Sequence, residues 1–183
     1  AAKGSLTFSQ PGKTDRGIFS VYLFNLVNMH RGEAIFQDAG VPHAYLEGRN
    51  VEIMASSDNV LRGGLTNKHI DVAELLKHTR CEATHPHILK GEKKGSEQVY
   101  KTPAPDFELS SFRLHHDDTA RFTPVTAEIL LLIDGQATIF HGDHKVVLRK
   151  GQPAALVLPG HEIRLHAEEP AWVFKASVPL PNS

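Results

Sequence analysis

Apolar residues come in short runs along this chain, and their spacing changes once. Positions 18–29 (IFSVYLFNLVNM) form the longest stretch dense in apolar and aromatic side chains. They predict a strand buried in part on both faces. Runs at 41–46 and 50–55, joined by Glu47-Gly48-Arg49, predict two further strands, after a short extended piece at 33–36. At 71–80 (DVAELLKHTR) the period becomes helical. Val72, Leu75, Leu76 and Thr79 share one face, Asp71 stands at the N-cap, and Glu74 falls three residues later as in a capping box. From 84 to 105 the chain is polar, with Lys, Gly and Pro throughout, and reads as a linker. Apolar runs then return at short intervals. They predict strands at 107–114, 127–133, 136–141, 144–149, 154–158, 162–166 and 171–178, with tight turns at Asp134-Gly135 and Gly142-Asp143.

This pattern divides the chain into a β-rich part with one short helix (1–83, its first 17 residues a polar loop), a connection (84–105), and a complete β-barrel or sandwich (106–183). A length of 183 residues, 40% hydrophobic, suffices for one sizeable core or two small ones. The net charge of -1 offers no basic field for nucleic acid or an anionic membrane. Apolar runs such as 129–133 and 154–158 fall far short of the roughly 18 residues of a membrane span. The amino terminus shows no apolar signal core, and it starts at Ala1, which need not be the native start. The one cysteine, Cys81, leaves no internal disulfide and fits a cytoplasmic protein.

Candidate chemistry concentrates between residues 32 and 66. On a strand, His43 and Tyr45 point the same way. A lone strand histidine is either a hydrogen-bonded structural residue or one donor to a metal, and one protein donor does not hold a catalytic metal by itself. Arg62 follows nineteen residues on, in a loop rich in Asp, Asn, Ser and Gly. Its guanidinium stays protonated, so it suits anchoring an anion better than accepting a proton. Glu52 is either a proton-handling carboxylate or half of a salt bridge. Asp58 either caps the loop or faces the pocket. His85 and His87 in the connection, and His115, His116, His141, His144, His161 and His166 beyond it, read as surface residues.

Two resemblances sharpen this reading. Gly32, five residues, Asp38, Ala39, Gly40, two residues and His43 resemble the second motif of cupin jelly-roll barrels, with Asp38 where the motif has Pro. Glu128 and Gly135 resemble the end of the first motif of another such barrel. There Phe122 and Pro124 replace its two histidines and Ile163 a later one, so this second barrel is expected to be metal-free. The longer stretch AGVPHAYLEGRNVEIMASSDNVLRGGLT resembles the signature of type I mannose-6-phosphate isomerases, zinc enzymes of two-cupin architecture. The likeness is close over 18–76 and looser through the second barrel.

The resemblance implies a mainly β fold of cupin-type jelly-roll barrels, a partial catalytic one and a complete second one. It implies that His43 is one of four zinc ligands, that Arg62 is catalytic, and that Lys68, in LTNKHID, lies near the sugar phosphate. Asn67 stands where the family more often has Pro. Tyr45, Glu52 and Asp58 match positions lining the same pocket. The family's other zinc ligands, a Gln-x-His pair and a Glu, belong to its amino-terminal half, and no Gln-x-His occurs here. The chain is thus expected to be the carboxy-terminal portion of a zinc-dependent enzyme interconverting mannose 6-phosphate and fructose 6-phosphate. Its partners would be the sugar phosphate and the amino-terminal half of the same protein. One rival is a non-catalytic cupin that binds sugar phosphates or serves as an interaction module. Another, a different metal cupin such as an iron oxygenase, predicts further histidines at cupin spacing, which are absent.

Overall fold

The computed structural model describes residues 1–57 and 59–180, so Asp58 lies outside the described residues. The chain forms two compact units that interleave in sequence. The first comprises Ala1–Arg31, Ile35–Asn50 and Ser56–Ile88; the second comprises Gly32–Ala34, Val51–Ala55 and Leu89–Ser183.

The first unit holds three short helices, α1 (Ala2–Phe8), α2 (Ser20–Leu23) and α3 (Val72–His78), where the sequence pattern predicts only the last. Helix α3 begins as expected, with the Asp71 carboxylate accepting from the Glu74 amide at 2.9 Å. The reciprocal half of the capping box is replaced, because the Glu74 carboxylate pairs with Lys77 and His78. The strand expected at 18–29 does not form. A 3-10 turn over Arg16–Phe19, started by the Asp15 side chain accepting from the Gly17 amide at 2.8 Å, leads straight into α2. The strands expected at 41–46 and 50–55 are likewise irregular. A strand needs a neighbour to take its backbone hydrogen bonds, and among the described residues no ladder partner is provided for these stretches.

Strands β1 (Ala34–Ile35) and β2 (Ile88–Leu89) are two residues long. The polar stretch read as a linker continues into β3 (Glu92–Lys94) and β4 (Glu97–Tyr100), an antiparallel hairpin whose second strand pairs with β5 (Glu108–Leu114). It is sheet, not linker: exposed residues alternate poorly with apolar ones there, and only Val99 and Tyr100 are buried. The remaining strands are β6 (Thr119–Phe122), β7 (Glu128–Asp134), β8 (Ala137–His141), β9 (His144–Leu148), β10 (Ala154–Val157), β11 (Ile163–His166) and β12 (Ala171–Ser177). All but β6 fall within a residue or two of the stretches predicted for them.

These strands make two antiparallel sheets, ordered β10-β7-β12-β5-β4-β3 and β6-β11-β8-β9, in a jelly-roll arrangement. Alternation along each strand explains the core. Glu128, Leu130 and Leu132 of β7, Ile163 and Leu165 of β11, and Val173 of β12 point inward, joined by Phe112, Ile139 and Leu148. On the opposite face of the six-stranded sheet, Tyr100, Trp172 and Phe174 form a second buried cluster with Ala34, Val51, Leu89 and Leu109 packed against it.

The interior also contains charge. The Lys175 ammonium lies 2.8 Å from a Glu97 carboxylate oxygen and 3.6 Å from one of Glu128. Ser110 donates its hydroxyl to Glu97. The ammonium also stands 5.0 Å from the centre of the Phe122 ring, which stacks on Phe112.

Candidate functional site

The turn before His43 is held from the helix side. The Val41 amide donates to the Asp38 carbonyl at 3.3 Å and closes a four-residue turn through Ala39 and Gly40. Arg80, just past α3, secures that turn twice. Its amide donates to the Gly40 carbonyl at 2.9 Å and its guanidinium to the Asp38 carboxylate at 2.7 Å. The Arg80 hydrogen bond, helped by the Ala39 amide, holds the Asp38 carboxyl below the usual aspartate range. The residue that departs from the cupin spacing therefore has its own local partner, which spacing alone did not disclose.

His43 is exposed, on irregular backbone rather than the expected strand. Its Nδ1 is 3.1 Å from the Val41 carbonyl oxygen, which can only accept, so Nδ1 carries the proton. In the neutral ring Nε2 then has the lone pair a metal donor needs. Tyr45 meets the ring edge-on, with centroids 6.0 Å apart, so these two side chains share a side as expected. Among the described residues, however, no group of three or more His, Cys, Asp or Glu converges as a metal site. The described residues fit one donor to a zinc ion and do not by themselves make a zinc site.

Arg62 is half-buried and Lys68 exposed, on the bend-rich loop before α3. The Lys68 amide donates to the Thr66 hydroxyl at 3.1 Å. The loop is pinned between these two cations. The Leu65 amide donates to Asp15 at 3.0 Å, and the other oxygen of that carboxylate takes the Gly17 amide. Gly64 (φ 142°) lies so close to Gly17 that an added Cβ would sit 2.6 Å from the Gly17 Cα. Only glycine at both positions permits that approach. Asp15 and Gly17 are the residues the sequence reading missed, having placed them in a featureless loop. The one signal was a pair of glycines far apart in sequence.

Glu52 is exposed and belongs to the second unit, whereas His43, Tyr45, Arg62 and Lys68 belong to the first. Two shallow depressions on the sandwich, one beside Lys145 and Arg149 and one beside Arg121 and Arg164, include none of these five residues.

No family model matches the chain. Over 142 residues it is 40% identical to the mannose-6-phosphate isomerase of Escherichia coli (strain K12), which covers 76% of this chain and 36% of that protein. It is 36% identical over 163 residues to mannose-6-phosphate isomerase 2 of Arabidopsis thaliana, covering 88% of this chain and again 36% of that protein. Among solved structures, a phosphomannose isomerase variant from Salmonella typhimurium superposes with a TM-score of 0.63 over 91% of this chain and 44% of its own, at 24% identity. The apo mannose 6-phosphate isomerase from the same species gives 0.51 over 69% of this chain and 32% of its own. The chain is thus a homologue of the mannose-6-phosphate isomerases over most of its length, and it spans about a third of the length of the curated relatives it matches.

Proposed function

We propose that this chain is the carboxy-terminal portion of a cytoplasmic, zinc-dependent aldose–ketose isomerase that interconverts mannose 6-phosphate and fructose 6-phosphate. The observation that carries the proposal is the 40% identity over 142 residues to a mannose-6-phosphate isomerase. The local geometry supports it. The Val41 carbonyl engages Nδ1 of His43, which in the neutral ring leaves Nε2 as a donor, and two cations flank a loop fixed at its middle by Asp15. Isomerisation moves a proton between C1 and C2 and builds negative charge on oxygen. Arg62 would stabilise that charge or anchor the phosphate, and Lys68 would supply a second positive charge to the phosphate. Glu52 would handle protons, with Tyr45 lining the pocket. His43 would give zinc one of its donors, and the others would come from the amino-terminal half of the same protein.

No helix among the described residues is long and apolar enough to cross a membrane. The lone, exposed Cys81 would stay reduced in a cytoplasm. The rival reading is a non-catalytic sugar-phosphate-binding or interaction module, which needs no converging donor set.

One assay separates the two. Phosphohexose interconversion and bound metal are measured on this chain and on a version extended at its amino terminus. The enzyme reading expects turnover and stoichiometric zinc in the extended protein. His43→Ala there should remove zinc and activity, while Arg62→Ala should keep zinc and lower kcat by about two to four decades. No turnover in the extended protein would leave the binding module standing.

A further inference from the structure

The second buried cluster of the sandwich unit does more than close a sheet face. Tyr100 and Trp172 are 2% and 8% exposed, and Phe174 stacks against Trp172 with centroids 5.1 Å apart. Besides Leu89 and Leu109, sequence from far upstream lies on this aromatic face. Ala34 and Val51, from two separate stretches far upstream, pack against it.

The first stretch is held by polar contacts as well. The Tyr100 hydroxyl donates to the Gly32 carbonyl at 2.8 Å. The Arg113 guanidinium lies over the Trp172 ring, 4.4 Å from its centre, and also fills the space beside Gly32. A Cβ at Gly32 would sit 1.9 Å from an Arg113 nitrogen, and the φ of 91° is one that side-chain-bearing residues rarely adopt. Gly32, the first residue of the cupin spacing, is thus enclosed by one tyrosine and one arginine of β4 and β5. The second stretch, 51–55, is anchored through Val51, next to the exposed Glu52.

We propose that this aromatic face is a positioning device for residues 32–34 and 51–55, and through Val51 for Glu52. Tyr100, Arg113 and Trp172 are then positioning residues, acting through backbone they hold in place. This gives the sandwich a task in the reaction that burial of its own core does not require. The role of Glu52 rests on the isomerase reading above; the seating of the two stretches does not.

Hydrogen exchange on the chain as it stands tests the seat. Tyr100→Phe keeps the ring and removes the hydroxyl. Amides in 32–34 should exchange about three- to tenfold faster, the factor that one lost hydrogen bond of ordinary strength gives, and Val51→Ala should likewise speed those in 51–55, while β7 and β12 keep their protection in both. Unchanged exchange in both stretches would overturn the proposal. So would an equal rise in β7 and β12, which would mean general loosening.

Turnover of mannose 6-phosphate by the amino-terminally extended protein tests the consequence. Tyr100→Phe and Trp172→Phe should lower kcat, and neither should add to the loss caused by Glu52→Gln. Losses that add independently would overturn the link to Glu52. If the unmutated extended protein does not turn over mannose 6-phosphate, the isomerase reading falls, and the exchange result still decides the seat.

Discussion

The two units use similar side chains in opposite ways. In the sandwich, Leu130, Leu148, Leu165 and Val173 are completely buried. In the first unit no described residue is fully buried, and Tyr22, Leu23 and Leu26 are 73–80% exposed. The 18–29 stretch is as apolar as most sandwich strands, yet it yields one helical turn and then irregular chain. An apolar pattern records what a segment can bury; a facing surface decides whether it does. The sandwich carries both faces of its core in one unit. The first unit shows apolar side chains without such a face among the described residues.

The contrast is broken or confirmed most sharply by truncating one residue on each side. Phe112, 1% exposed and stacked on Phe122, should cost about 3–5 kcal/mol when changed to alanine. Leu26→Ala, 74% exposed, should change stability by no more than about 0.5 kcal/mol. Urea unfolding reads both, with fluorescence from Trp172, the chain's one tryptophan, reporting on the sandwich. Comparable losses would mean that the first unit has a core of its own.

The same contrast explains what was legible in the sequence. Strands β7 to β12 were readable because inward and outward residues alternate and each strand's partner lies in the same unit. Strand β6 was not: Thr119 to Phe122 offers only Ala120 and Phe122 to the core, too few for a pattern. Strand β3 was hidden by Lys and Glu at an exposed sheet edge, where charge guards against further pairing, and β4 by its polar first half, Glu97-Gln98. In the first unit only α3 was legible, because its period and its Asp71 cap are local. His43 and Tyr45 were found through a motif, and their rings do meet. The strand beneath them was not found, because a strand depends on a neighbour. Asp15 and Arg80 were invisible, since each acts on residues about fifty or forty positions away.

A smaller effect is expected from the buried charges, and it belongs to the sandwich alone. Lys175 neutralises one of two interior carboxylates and sits beside the other. Lys175→Met keeps most of the packing but leaves Glu97 and Glu128 facing each other without a cation. The loss should be roughly 3 kcal/mol at neutral pH, since breaking a buried pair strands its partner. Adding Glu97→Gln and Glu128→Gln to Lys175→Met should recover much of that loss. If Lys175→Met alone is neutral in urea unfolding, the cluster is wetter than its burial implies.

Acid should affect the two units with opposite sign. Burial pushes the Glu128 carboxyl above the usual glutamate range; Lys175 opposes this and the neighbouring Glu97 adds to it. Between the ordinary and the raised value the folded state holds more protons than the unfolded one, so stability falls as pH rises through that window. The stability difference between the natural chain and Glu128→Gln should therefore move in favour of the natural chain as pH drops from neutral toward the ordinary glutamate range. For Asp38 the order is reversed. Arg80 lowers its pKa, so its contribution is present above the ordinary aspartate range and is lost as pH falls through the lowered value. Asp38 and Arg80 are each about half exposed, which makes this the weakest of the expected effects. Trp172 fluorescence during urea unfolding reads the first case. Exchange of the Arg80 amide, bonded to the Gly40 carbonyl, reads the second against Asp38→Asn. Slopes of the same sign would mean that the two carboxylates sit in like surroundings, and the division between a dry sandwich and an open first unit would fail at its most local point.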